Sequence, residues 1–562
     1  MKFTRRLTIY VMLLAILILV KLNTFGEDYS SVETFRGAQL EEDVFYPLIA
    51  RSVNDANLLQ IVLNDETYRF SNRDAYVNDQ LQVMVSPAFV RDFFSCSARV
   101  YEGNRLFLER GDATLTFFAG QNTALYNEDM VELVGIPTVY NDTFYVPLRD
   151  VCKILEYKYR WSSKNYRVQI IADEETMTVQ LPRNYDLRKK NRTASIRNQG
   201  SQTTCWAFAS IEAMESSLMP EQKAQFDENH MIANKPYAYS GQNGGDYTMA
   251  LAYLLSWKGP VSTEDGEIHA HVQQARFYGQ DDIDDIKWAV YQYGGVSTSI
   301  YANVAGASLK DSSYYNEHTN SYCYMGSESP NHDVVIIGWD DAYRSTNFAN
   351  DVPGDGAFIC QNSWGTSFGD EGVFYVSYYD TNVGDQGVSY VNLETADNYA
   401  DIYQSDLCGW NGQIGYNKED VTAANVYTAR ADAQVAAAGF YALDKDTTYE
   451  IYFVSKYDGV NSFAKRVKVA SGTAKYAGYY TVEFDEAKRI TKGEEFAVII
   501  HINTPGADHP MAMEYQSARM EAGYVDIKDG LGYISRNGLD WENVEEKASG
   551  NLCLKAYTKI SE

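Results

Sequence analysis

Apolar positions change their period several times along the chain, and each change marks a different kind of element. Residues 7–20 are an unbroken apolar run behind Lys2, Arg5 and Arg6 and ahead of Lys21. A charged start and a short apolar core are the layout of a secretory signal, and the run falls short of the roughly 20 residues that a spanning helix needs. Thr24-Phe25-Gly26 places small residues at the spacing of a cleavage site, so residues 1–26 read as a signal peptide or, left uncut, a membrane anchor. Residues 30–175 read as β-rich and contain an imperfect repeat. Val90, Phe93-Phe94, Asn104 and Phe107 line up with Val151, Ile154-Leu155, Asn165 and Val168 at an offset of 61 residues. Each copy predicts a short helix, a turn and a strand. Asp173-Glu174-Glu175 then reads as a linker.

A helical period follows. Ala207, Ile211, Met214 and Leu218 recur at i, i+4, i+7 and i+11, one apolar face of a helix, with Glu212, Glu215 and Ser216 on the other side. Thr203 or Thr204 can cap its start, and Pro220 ends it. Val334-Val335-Ile336-Ile337 predicts a buried strand that begins at His332. From residue 393 onward, alternating runs such as TYEIYFVSKY, AGYYTVEF and EFAVIIHI, separated by Gly, Asp and Lys turns, predict a β-sandwich.

Composition bounds this picture. A chain of 562 residues is too long for one core and should form three or four domains. A formal net charge of −28 argues against nucleic-acid binding, which needs Lys/Arg patches. Seven cysteines are an odd number and few for an exported chain, so at least one thiol is left over. No pair has C-x-x-C spacing, so no structural zinc site is expected. His269-Ala-His271 reads as two exposed loop histidines rather than metal ligands.

That spare thiol finds a chemical setting at Cys205. At a helix N-terminus, unpaired N–H groups and the helix dipole favour an anion, which lowers a thiol pKa and activates it. Taken alone, Cys205 reads equally well as a small buried hydrophobe. Gln199 lies six residues upstream, and its amide with the Cys205 N–H can form an oxyanion hole across the turn that Gly200 permits. His332 stands at the rim of the buried strand. Asn362, in Gln361-Asn362-Ser363-Trp364-Gly365, can accept a hydrogen bond from the imidazole and fix its tautomer. The downstream distances from Cys205 are close to the roughly 130–150 residues of Cys–His–Asn sites.

The run NQGSQTTCWAFAS, with the order Gln-Cys-His-Asn and the NSWG segment, resembles the papain family of cysteine peptidases over about residues 180–390. The resemblance implies a two-lobed fold, a helical lobe beside a β-barrel-like lobe. It makes Cys205 the nucleophile, His332 the base, Asn362 the orienter, Gln199 the oxyanion donor and Trp364 the cover over the His–Asn bond. It also implies that Gly244 and Gly245 let an extended substrate backbone approach the cleft wall. Cys205 and His332 would form a thiolate–imidazolium pair. Two departures stand out. Gln202 replaces the family's disulfide cysteine. Asp333, where a small apolar residue is common, and Asp246 would border the pocket for the second residue upstream of the scissile bond. There they either favour a polar or basic side chain or stay solvated. No helical inhibitory propeptide of the usual kind is found, and residues 30–175 occupy its place.

The segment YVPLRDVCKILEYKYRWSSKNYRVQII resembles the copper amine oxidase N-terminal-like domain of bacterial surface proteins, mainly over residues 130–172. Residues 30–175 contain no His, so copper ligation is not implied. The closing NLCLKAYT fits a lectin-like domain. The expected fold class is therefore multidomain α+β: 1–26 signal peptide or anchor, 30–175 β-rich repeat domain, 178–392 papain-like peptidase and 393–562 lectin-like β-sandwich. The expected function is an exported endopeptidase working through a covalent acyl-enzyme, without metal or cofactor, on protein or peptide substrates. Surface or cell-wall glycans are candidate ligands of the flanking domains. The membrane is met only through an uncut leader. The expected location is secreted or cell-surface, in a bacterium. The alternatives are a peptidoglycan peptidase and a catalytically idle surface binding protein.

Overall fold

The computed structural model describes residues 59–560 apart from 65, 69, 71–73, 141, 163–165, 238–243, 303–311, 516–525 and 527–530. The leader and its cleavage site at Gly26 lie outside the described residues. Among those described, no helix is long and apolar enough to cross a membrane. The chain divides into two compact units, Met1–Gln180 and Leu181–Glu562.

The repeat is visible in the first unit. Helix Pro87–Phe93 recurs as Leu148–Ile154, and strand Ser97–Tyr101 recurs as Lys158–Ser162, both at the offset of 61 residues. Ser86 caps the first helix, its hydroxyl accepting from the Phe89 N–H at 3.1 Å, with Pro87 at the position where a missing N–H costs nothing. The two copies interlock: Val83–Val85 pairs antiparallel with Thr143–Pro147, and Gln60–Leu63 runs parallel to Arg167–Ile171. A five-stranded meander from Ser97–Tyr101 to Asp129–Glu132 completes the unit. Phe89, Val90, Phe94, Leu106, Leu108, Val146, Val151 and Val168 share one core. Glu174–Met177, read as linker, forms a short helix because the Asp173 carboxylate accepts from the Thr176 N–H at 2.8 Å.

The second unit is organised on one sheet of thirteen strands among the described residues. At one end His332–Asp340 lies between Val296–Ile300 and Ala357–Gln361. Helices Cys205–Leu218, Tyr247–Leu255 and Ile283–Gln292 contribute to the core on this side. The sheet then continues through Gly387–Thr395 and Ala270–Tyr278 into Gly478–Ile490, Ala433–Ala442, Leu554–Ile560 and Asp401–Tyr403. The joining register is Gln274↔Tyr480, Ala275↔Tyr479 and Arg276↔Gly478. A second sheet, built on Asp420–Thr428, Thr447–Val454 and Glu495–Asn503, packs on this far end. Phe440, Leu554 and Ala556 meet Val421, Phe453, Val498 and Ile500 in the sandwich core. The result is an α+β body followed by a β-sandwich.

Three readings change. Glu212, Glu215 and Ser216 are each 1% exposed, so the side of Cys205–Leu218 opposite its apolar face is buried as well. Glu215 is tolerated there because Arg197 meets it with two bonds, at 2.9 and 2.7 Å. Thr204 stands at the N-cap position but its side chain makes no capping bond, and the Thr203 hydroxyl instead accepts from the Gly244 N–H at 2.9 Å. His271 is neither exposed nor in a loop. It lies within strand Ala270–Tyr278, is 6% exposed and stacks on Trp257 at 4.1 Å, while His269 remains outside, paired to Asp265.

Candidate active site

The nucleophile candidate occupies the first turn of a buried helix. Cys205 is the first residue of Cys205–Leu218 and is 8% exposed. The first N–H groups of a helix have no partner within it, so they face the thiol's surroundings. Burial and then the Asp333 carboxylate push the thiol up to about 12, against hydrogen bonds from the backbone amides of Asp333, Trp206 and Cys205 itself. The helix of Cys205 packs against the strand His332–Asp340, which brings the thiol under the influence of Asp333, the residue that follows His332.

His332 opens its strand and is 5% exposed. Its Nε2 lies 2.9 Å from Oδ1 of the fully buried Asn362. The Trp364 indole stacks on the imidazole at 4.6 Å and 26°, shielding that bond from water. Oδ1 of Asn362 also accepts from the Ser363 N–H at 2.8 Å, which turns its carbonyl toward His332. Burial pushes the imidazole down to about 4, against the Asn362 bond. The neutral ring is thus favoured and, with Asn362 accepting, Nε2 carries the proton and the other nitrogen is free to receive one.

Gln199 is tied to the same segment. Its backbone N–H donates to the Ser363 carbonyl at 2.9 Å, and the Ser363 hydroxyl donates to its Oε1 at 2.6 Å. Its NH2 donates to the Gln202 carbonyl at 2.6 Å, which leaves the second amide hydrogen for another acceptor. Ser363 was not singled out from the sequence, although it sits inside the NSWG motif; its contact crosses from one chain segment to another, so spacing alone carries no sign of it.

The glycine pair has two separate reasons. Gly244 adopts φ +75°, and a Cβ there would meet open space. A Cβ on Gly245 would lie 2.5–2.8 Å from the Trp206 indole, so that glycine is required by packing. Asp246 caps helix Tyr247–Leu255 by accepting from the Thr248 N–H at 3.0 Å. Asp333 accepts from the Ser299 hydroxyl at 2.6 Å. Burial, opposed by that bond and reinforced by the charge of Asp246, pushes the Asp333 carboxyl up to about 7. Asp333 thus bears on Cys205, and Asp246 bears on Asp333.

The other six cysteines are buried and unpaired. Burial raises the thiols of Cys96, Cys152, Cys323, Cys360, Cys408 and Cys553 alike. Among the described residues, no group of three or more His, Cys, Asp or Glu could hold a metal ion.

Known proteins match three successive stretches of the chain. The family described as papain family cysteine protease matches residues 181–391, the lectin like domain matches 402–558, and the copper amine oxidase N-terminal domain matches 62–170 and 125–199. A cysteine protease of Blomia tropicalis is 27% identical over 227 residues, 35% of this chain and 61% of that protein. Cathepsin L1 of Drosophila melanogaster is 24% identical over 212 residues, 34% of this chain and 53% of that protein. The chain thus spans less than two thirds of the length of these relatives. Among solved structures, the clostridial cysteine protease Cwp84 after propeptide cleavage is 25% identical with a TM-score of 0.59, covering 67% of this chain and 99% of that one. The cysteine protease and lectin-like domains of Cwp84, a surface layer associated protein of Clostridium difficile, match at 24% identity and TM-score 0.59, covering 68% and 90%. The chain thus carries, in order, a copper amine oxidase N-terminal domain, a papain family cysteine protease domain over residues 181–391 and a lectin-like domain.

Proposed function

We propose that this protein is an exported endopeptidase that hydrolyses peptide bonds of proteins through Cys205, His332 and Asn362 and a covalent acyl-enzyme. The observation that carries the reading is the 2.9 Å His332–Asn362 bond beneath Trp364, on a strand packed against the helix whose first residue is Cys205. Burial disfavours a lone thiolate and a lone imidazolium, so the expected thiolate–imidazolium pair is favoured only with each charge beside the other. The Cys205 proton passes to the free nitrogen of His332 as sulfur attacks the substrate carbonyl, and each new charge becomes the other's counter-ion. Gln199 Nε2 and the Cys205 N–H would hold the oxyanion. His332 then gives its proton to the leaving amine, the C–N bond breaks, and water, deprotonated by His332, releases the acid.

Export rests on the charged and apolar pattern of residues 1–26, and a surface location is in keeping with the surface layer association of Cwp84. Asp246 and Asp333 make a polar or basic side chain the expected preference beside the scissile residue. Replacing Cys205→Ala is expected to abolish cleavage of a denatured protein substrate while leaving the thermal unfolding curve in place. Cleavage by that variant would reject the assignment. A peptide library separates the specificity reading: strict selection of Leu, Val or Phe two residues upstream of the cut rejects it.

A further inference from the structure

The helix that carries Cys205 also carries a buried carboxyl with no part in the chemistry above. Glu212 is seven residues on, two turns along the same face, and 1% exposed. Its Oε2 accepts from Nε2 of Gln361 at 3.0 Å, and its Oε1 is buried without a hydrogen-bond partner. Gln361 is itself 1% exposed and directly precedes Asn362.

The orientation of Asn362 depends on its backbone. Its Nδ2 is buried without a hydrogen-bond partner, so nothing on the amino side of the carboxamide fixes the rotation. What fixes it is the Ser363 N–H on its Oδ1, at 2.8 Å, together with the placement of its chain: the Asn362 N–H donates to the Gly372 carbonyl at 2.9 Å, Gln361 pairs with Val335 in the sheet, and the Gln361 side chain is anchored on Glu212. The last of these links is a side-chain bond from the nucleophile's helix to the strand that leads into the orienter.

We propose that Glu212 is a positioning residue that, through Gln361, sets Asn362 and His332 at their distance from Cys205. One helix would then hold the nucleophile at its first turn and the register of the His–Asn pair two turns later. The charged groups near Glu212 are Arg197, which precedes the Gln199 turn, Glu215 on the same helix and Glu228 of helix Glu228–Asn234. Arg197 already serves Glu215, at 2.7 Å, and Glu228, at 3.4 Å, and no ion pair joins it to Glu212. The bond to Gln361 needs only an acceptor oxygen at position 212, so the amide of glutamine is a faithful replacement and a leucine is not.

The inference rests on the Cys205–His332–Asn362 reading, and its test separates the two. Wild type, Glu212→Leu, Glu212→Gln and Gln361→Leu are assayed on a fluorogenic peptide, with kcat expressed per titratable Cys205 thiol. Cys205→Ala is run alongside; activity in that variant rejects the underlying reading and not this one. Glu212→Leu and Gln361→Leu are each expected to lower kcat by about tenfold or more with KM changed less than about twofold, since small displacements of catalytic groups are costly. Glu212→Gln is expected to recover most of the loss. A purely structural role would lower the yield of active sites and the melting temperature but not kcat per site, and that result overturns the proposal. Equal losses in Glu212→Gln and Glu212→Leu also overturn it, by showing that the carboxyl itself is required. If Glu212→Leu does not fold, Gln361→Leu carries the test alone.

Discussion

Cys205 and His332 share one constraint: neither can hold a charge by itself in so buried a place. The thiol is pushed up to about 12 and the imidazole down to about 4. Reactivity of the sulfur must then depend on the ring. In His332→Ala the alkylation rate of Cys205 at neutral pH is expected to fall by at least about a hundredfold, because only the thiolate is nucleophilic. Ser363→Ala removes the 2.6 Å donor that holds Gln199. It is expected to lower kcat/KM by roughly tenfold, the worth of one hydrogen bond of about 1 kcal/mol or slightly more, with Cys205 alkylation unchanged. Steady-state kinetics beside alkylation rates check both. Glu212 gives a pH signature of its own. Burial raises its carboxyl from 4.5 to about 8. The stability it contributes is complete below 4.5 and lost as pH rises through about 8. Glu212→Gln has no such loss, so the melting temperature of the variant minus that of wild type is expected to grow between pH 5 and 8.5, by on the order of 2 °C. A difference that stays constant with pH contradicts a buried neutral acid.

At the scale of elements, the helix of Cys205 and the strand of His332 were legible because both are announced locally. Cys205 sits where an apolar period begins, and His332 where an unbroken apolar run begins. The repeat of the first unit was legible for the same reason, since helix, turn and strand recur within each copy. What was missed depends on partners far along the chain. The burial of Glu215 was not legible because nothing near it in sequence predicts Arg197, nor was that of Glu212, because Gln361 lies on another strand. Gly245 was read through the substrate, whereas its own neighbour Trp206 already requires it. Gly245→Ala is accordingly expected to cost about 1–3 kcal/mol by overpacking against a buried indole, measured by chemical denaturation, whether or not substrate is present. An unchanged midpoint would contradict the packing account.

At the scale of the molecule, the sequence suggested a peptidase followed by a separate sandwich, and the sheet joins them. The register Ala275↔Tyr479 pairs strands some two hundred residues apart, a relation that no local pattern encodes. Side chains reinforce it: Arg276 lies over Tyr293 and Tyr476, Tyr237 donates to the Cys408 carbonyl at 2.8 Å, and Lys445 meets Asp282 at 2.6 Å and Asp285 at 2.8 Å. Residues 181–562 are therefore expected to unfold in one calorimetric transition, and a fragment ending at 395 to be insoluble with its Ala270–Tyr278 edge bared. Two well-separated transitions would show that the sandwich is independent.

The central claim is that one sulfur of seven is a nucleophile and that one imidazole makes it so. Alkylating the native protein with iodoacetamide at pH 7 and mapping the modified peptide by mass spectrometry, in wild type and in His332→Ala, tests it most directly. The account predicts modification of Cys205 alone, with activity lost in step, and near-complete protection in the variant. Modification spread over the other thiols, or undiminished at Cys205 without His332, would contradict it.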